Sequence, residues 1–313
     1  MATTGKTLYK GIEAFFIESG NFRAIITERG SKMVSLVDKT SGRELLLQPS
    51  GDMLLQGTYD SDYNAVDIGG FDEMLPTIDS CFCAQYPWED VKLPDHGEVW
   101  SIDWRLASDK NALYSHTFGV RLPYKFSKRI YFENESSLRI EYSLENLSTF
   151  DIDFIWAAHA MFTMEENSSV ILPDGSRTGI LMSSYDNILG KYGDNIPLND
   201  MHEFHKETLG MTSSHSKYMD KFYINEQLSS GQCGVFHPSD NGCYMMTFPR
   251  ESVPYLGILL SRGLHLGDCC ILEPCTSAFD RPDLAKIHGR NSTLKARGVY
   301  SWHLSFSRAE VHD

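Results

Sequence analysis

Hydrophobic residues recur with a period of two along much of this chain, and that alternation restricts the fold more than any other feature. Leu138, Ile140, Tyr142 and Leu144 alternate with Arg139, Glu141, Ser143 and Glu145, the pattern of a strand buried on one face. Trp302, Leu304 and Phe306 alternate in the same way with Ser301, His303 and Ser305. Nearer the N-terminus, residues 22–27 and 33–37 are short apolar runs, the first followed by Glu28-Arg-Gly30 and the second by Asp38-Lys-Thr-Ser-Gly42, strands punctuated by turns. Residues 235–237 and 243–248 flank Pro238-Ser-Asp-Asn-Gly242, a hairpin signal with Asn-Gly at its tip. The clearest helix covers residues 282–288, with Pro near its first position and Gly289 at its end. Strands over the whole length with few short helices predict an all-β fold, a large sandwich or barrel. No repeat, low-complexity stretch or Pro/Gly-rich linker divides the chain, so a single domain over residues 1–313 is expected. The polar, weakly periodic stretch 185–217 reads as a surface excursion of the kind that borders a site.

The formal net charge of −14 excludes some functions. A surface this acidic repels nucleic acid and anionic membranes, so neither is an expected partner. The N-terminus lacks the apolar core of a secretory signal, and no apolar run is long enough to span a bilayer, which predicts a cytoplasmic protein. Seven cysteines in a long chain do not suggest a disulfide framework, and the spacings of Cys81/Cys83 and Cys269/Cys270 do not match a zinc knuckle. No metal site is expected.

Four segments could carry chemistry. Glu273 is the single acidic residue in Cys269-Cys-Ile-Leu-Glu-Pro-Cys275, where an apolar setting leaves a carboxylate poorly hydrated, as in a general base. His159 lies inside the apolar run Phe154-Ile-Trp-Ala-Ala-His-Ala-Met-Phe162, where a core hydrogen bond is the plainer reading for a lone histidine. His96 sits in a Pro/Gly loop with carboxylates on both sides and Trp100 and Trp104 close behind. Indole faces stack on sugar rings, so this composition suits a carbohydrate site. Asp67-Ile-Gly-Gly-Phe-Asp-Glu73 offers paired glycines for close backbone approach and Asp67, Asp72 and Glu73 for hydroxyls. Two imidazoles and a carboxylate make a complete acid/base set for neutral substrates.

In these residues the chain resembles the aldose 1-epimerase (galactose mutarotase-like) superfamily, as a divergent branch. The matching pieces are Val253-Pro-Tyr-Leu-Gly-Ile-Leu259, Ile271-Leu-Glu-Pro-Cys-Thr276, Leu294 with Trp302, His96-Gly97, and Trp156 through His159. The resemblance implies a large antiparallel β-supersandwich with a sugar cleft and an isomerase that interconverts the α and β anomers of an aldose. It implies Glu273 as general base, His159 as general acid and His96 as a hydrogen-bond donor near the ring oxygen, with no cofactor. Asp67, Asp72, Glu73, Trp100, Trp156 and Tyr255 are the expected sugar contacts. The partner is then a small sugar, and the protein a monomer or homodimer. The best-known members carry an Asn-Arg pair where this chain has Gly69-Gly-Phe-Asp-Glu73, which bears on the substrate more than on the reaction. A phosphorylated substrate would need an arginine cluster, for which Arg177, Arg250, Arg262 and Arg281 are candidates. The alternatives are a glycosidase or lyase, which needs a second carboxylate such as Asp72 or Glu73 facing Glu273, and a non-catalytic sugar-binding protein on the same scaffold.

Overall fold

The computed structural model describes residues 2–66, 68–198 and 217–309. Two large antiparallel sheets dominate it. The twelve-stranded sheet runs Thr3–Tyr9, Ile12–Glu18, Phe22–Thr27, Met33–Asp38, Phe71–Met74, Ala157–Thr163, Cys269–Cys275, Tyr255–Arg262, Tyr218–Ile224, Thr178–Ser184 and Asn195–Pro197, with Arg43–Glu44 beside Met33–Asp38. The eight-stranded sheet runs Ser169–Ile171, Gln232–His237, Gly242–Thr247, Val299–Ala309, Ser137–Asn146, Tyr124–Asn134, Ala112–Phe118 and Arg105–Ser108. No helix among the described residues is long and apolar enough to cross a membrane.

The alternating segments become strands of the eight-stranded sheet because only one of its faces packs against the other sheet. Ser137–Asn146 buries Leu138, Ile140, Tyr142 and Leu144 and pairs with Val299–Ala309 on one side and Tyr124–Asn134 on the other. Between the sheets Phe126, Tyr142 and Trp302 stack on one another, with Tyr142 and Trp302 5.2 Å apart. The hairpin forms at the expected place: Asn241 takes the left-handed conformation (φ 48°) that joins Gln232–His237 to Gly242–Thr247. The α-helix Pro282–Ile287 is ended by Gly289 at φ +66°. Of the stretch 185–217, residues 199–216 lie outside the described residues. The described part is mostly exposed, but Asn195–Pro197 joins the sheet as its edge strand.

The central strands of the twelve-stranded sheet behave differently. Phe71–Met74 and Cys269–Cys275 are buried at every position and Ala157–Thr163 at all but its last. Their inner face meets the eight-stranded sheet, and loops cover their outer face. Burial on both faces is why these segments read as continuous apolar runs. The few polar residues within them stand out for that reason.

Candidate functional site

The site is a row of side chains across five neighbouring strands on the outer face of the twelve-stranded sheet. Ala157 pairs with Cys275 and Ala160 with Leu272, a register that sets His159 opposite Glu273. On its other side His159 is opposite Asp72. Glu273 is opposite Gly257, and Gly257 opposite Tyr223. Residues opposite one another share a face, so Asp72, His159, Glu273, Gly257 and Tyr223 form one line. His159 and Glu273 are almost completely buried.

Asp72 organises the histidine end. Its Oδ1 is 3.0 Å from His159 Nδ1, and its Oδ2 is 3.2 Å from Lys32 Nζ. The Tyr63 hydroxyl donates to Asp72 Oδ2 at 3.2 Å and is 3.1 Å from His159 Nδ1. Burial by itself would raise the Asp72 carboxyl, but Lys32 and then His159 outweigh it and hold it well below the usual carboxylate range. Burial, and then the Asp72 charge, push the Tyr63 phenol well above its ordinary value, so it stays protonated. With Asp72 an acceptor only, His159 donates to it from Nδ1, which leaves Nε2 for a substrate.

His96 is delivered by a loop docked on the end of Phe71–Met74. Its backbone N–H donates to Ile78 O at 2.6 Å, and Glu98 N–H to Leu75 O at 2.7 Å. Gly97, at φ +70°, lies so close to Leu75 that a Cβ there would run into its backbone. The His96 ring stacks on Tyr63 at 3.9 Å and 5°, stands 5.5 Å from the His159 ring, and holds Asp95 Oδ2 through Nδ1 at 2.9 Å.

At the other end Lys221 Nζ lies 3.3 Å from Glu273 Oε2 and 2.9 Å from Asp280 Oδ1. The Tyr223 hydroxyl donates to the same Asp280 oxygen at 2.8 Å. Asp79 is bound through its backbone N–H to Asp280 O at 2.9 Å. Burial first, and then the Asp280 charge, push the Asp79 carboxyl up to about 6.

Several expected contacts are placed elsewhere. Glu73 neighbours Asp72 in sequence and therefore points to the opposite face, into the core. There Lys128 Nζ donates to both its oxygens (2.8 and 3.1 Å), and the Tyr142 hydroxyl to one of them. It can neither bind a sugar hydroxyl nor face Glu273 as a second carboxylate. Trp156 is fully buried between the sheets, 5.0 Å from Tyr142 and 4.9 Å from Trp302, because the pleat that turns His159 outward turns Trp156 inward. It offers no ring face to a sugar. Trp100 is buried edge-on behind Tyr63 at 4.9 Å, with Gly57 against its ring, so it supports Tyr63 and does not present a platform. Trp104 is buried and donates to Val99 O. Tyr255, by contrast, shares the face of Glu273 and is partly buried against the cluster that holds Met74, Tyr223 and Cys275, beside the site. Asp67 lies outside the described residues. Gly69 and Gly70 approach the backbone of Leu47 and Met33, which accounts for the paired glycines without a ligand.

The arginine candidates do not form a cluster. Arg250 donates to the Leu228 and Ser229 carbonyls, Arg281 is bound to Asp283, and Arg262 lies 4.0 Å from Asp268. Arg177 precedes the strand Thr178–Ser184 near the sheet edge. Among the described residues no group of three or more His, Cys, Asp and Glu side chains is placed to hold a metal ion.

Sequence reasoning missed Tyr63, Lys32, Lys221 and Asp280. Tyr63 comes from the polar loop Tyr59-Asp-Ser-Asp-Tyr63, which has no periodicity to mark it. Lys221 did carry a signal: it is a lone cation in the strand Tyr218–Ile224, otherwise largely buried.

The same architecture occurs in solved structures. A galactose mutarotase-like protein from Clostridium acetobutylicum superposes with a TM-score of 0.71 at 15% identity, covering 98% of both chains. A galactose mutarotase related enzyme from Lactobacillus acidophilus gives 0.65 at 13% identity, over 96% of this chain and 98% of that one. A galactose mutarotase-like protein from Lactobacillus casei gives 0.63 at 15% identity, over 95% and 100%. No protein-family model matches the sequence, and a search of curated proteins finds no match. Likeness at this level of identity establishes the fold: the chain is a galactose mutarotase-like β-supersandwich.

Proposed function

We propose that the protein is an isomerase of the aldose 1-epimerase type, acting on a free sugar. The observation that carries this reading is the register that sets His159, backed by Asp72, directly opposite Glu273 on one face of the sheet. Ring opening of an aldose needs a base for the anomeric hydroxyl and an acid for the ring oxygen, acting from neighbouring positions. Glu273 takes the proton from the C1 hydroxyl. His159, charged and held by Asp72, gives the Nε2 proton to the ring oxygen as the C1–O5 bond breaks. Rotation about C1–C2 turns the other face of the aldehyde toward the C5 hydroxyl, and reclosure with the two roles exchanged gives the other anomer. His96 donates a hydrogen bond near the ring oxygen, its ring steadied by Tyr63 and Asp95.

The substrate is a small sugar without a phosphate, consistent with the scattered arginines. The protein works as a monomer or homodimer in the cytosol, a setting supported by seven cysteines that are all free. One-dimensional exchange NMR of anomeric protons, over a panel of free aldoses and modified aldoses, tests the reading. Wild type is expected to accelerate exchange and Glu273→Gln to remain folded and inactive. Failure of the folded wild type on every sugar overturns it. Release of a new reducing end or an unsaturated product from an oligosaccharide assigns the glycosidase or lyase reading in its place.

A further inference from the structure

We propose that Lys221 is a positioning residue for Glu273, whose ammonium supplies the counter-charge and aims the carboxylate while Asp280 and Tyr223 hold the lysine in place. This rests on the epimerase reading above and adds a residue to it.

The geometry is specific. Glu273 Oε2 lies beside Gly257, where a Cβ would come within 2.9 Å of that oxygen and 3.2 Å of the Tyr223 ring. The strand Tyr255–Arg262 lies between Glu273 and the lysine's own strand, so the missing side chain opens a path between them. Lys221 Nζ reaches across to within 3.3 Å of the oxygen. That contact is an ion pair without hydrogen-bond alignment, and Oε2 has no hydrogen-bond partner although it is buried. The ammonium is anchored more closely to Asp280 Oδ1, at 2.9 Å, and Tyr223 donates to the same oxygen. Lys221 thus neutralises Glu273 without occupying its lone pairs, which a base must keep open for the proton it removes.

The surroundings agree. Tyr63, Tyr223, Cys270 and Cys275 feel the Glu273 charge, and burial pushes all four well above their ordinary values, so they stay neutral. The titratable groups around the pair include Asp280, Asp79, Asp95 with its partner His96 and, across the strand, His159 backed by Asp72. Burial works against the Lys221 charge, but Asp280 and then Glu273 outweigh it and raise its proton affinity, so it is an ammonium at any working pH.

Two substitutions with opposite expected signs test the proposal. Lys221→Met leaves Glu273 facing Asp280 and Asp79 without a counter-charge. The acidic limb of the anomerisation rate then moves to higher pH by about one unit or more, so that kcat falls roughly tenfold at pH values below the limb and little at neutrality, while KM changes little. Lys221→Arg restores much of the limb. Asp280→Asn leaves the whole ammonium to Glu273 and moves the limb to lower pH, which keeps the test alive should Lys221→Met not fold. A loss of rate in both variants with neither limb displaced makes Lys221 a structural residue only and overturns the proposal. Should no sugar prove to be a substrate, the ¹³C resonance of the Glu273 carboxyl, assigned with Glu273→Gln, is titrated in the same variants. Uptake of the proton at higher pH in Lys221→Met supports the pairing independently of activity, and an unmoved titration overturns it.

Discussion

Among the described residues two buried glutamates are each paired with a lysine, one on each face of the same sheet, and the pairs are built differently. In the core, Lys128 donates to both oxygens of Glu73 and to the Ser31 carbonyl, and Tyr142 adds a further donor. Burial pulls both partners toward neutrality, Glu73 up and Lys128 down, and the pair is sealed. On the outer face, Glu273 Oε2 meets Lys221 at 3.3 Å without a hydrogen bond, and the lysine is shared with Asp280. A fully bonded pair specifies packing, whereas a pair with an open lone pair can exchange a proton. Residue types alone do not distinguish the two; the number of bonds on each oxygen does.

The comparison is broken most sharply by the two Glu→Gln changes. Glu273→Gln is expected to lower the exchange rate by about 10²–10⁴-fold with a small change in melting temperature, because Lys221 keeps Asp280 as a partner. Glu73→Gln is expected to do the reverse: destabilisation of about 3–5 kcal/mol by denaturant unfolding, with the folded fraction still active, because Lys128 is left buried without a counter-charge. Equal effects of the two substitutions on rate would erase the distinction.

Lys128→Met sharpens it next. It leaves Glu73 unpaired at a similar cost, and adding Glu73→Leu should recover most of the loss, as replacing both members of a buried pair by apolar residues is close to neutral. The double variant should retain catalysis, measured by the same NMR exchange. Gly257→Ala probes the outer pair more gently: the new methyl must displace the Glu273 carboxylate or the Tyr223 ring, and a several-fold fall in kcat with little loss of stability is expected.

The smallest effect expected is on pH dependence. The folded-state value for Asp72 lies below its unfolded 3.8, so its contribution to stability is complete above that value and is lost as pH falls below it. The stability of wild type should therefore fall as pH drops below about 4, and Asp72→Asn should flatten that fall. An Asp72→Asn curve as steep as wild type would place the acid sensitivity elsewhere.

Much of this was open to reading from the chain alone. Alternation at residues 138–145 and 301–306 determined a sheet with one buried face, and the Pro282 and Gly289 signals bounded the helix. His159 and Glu273 were visible because a polar residue inside an apolar run needs a reason, and both runs are buried on two faces. Which polar residues share a face was decided only by the tertiary structure. Trp156 and Glu73 are residue types that suit sugar contacts, but the alternation of the extended chain turns both into the core. Asp72, His159 and Glu273 come from three strands far apart in the chain, and their row exists only through strand register. Tyr63, Lys221 and Asp280 joined the site by long-range packing. A local period records how far a side chain is buried, whereas contact between distant residues is a property of the assembled sheet.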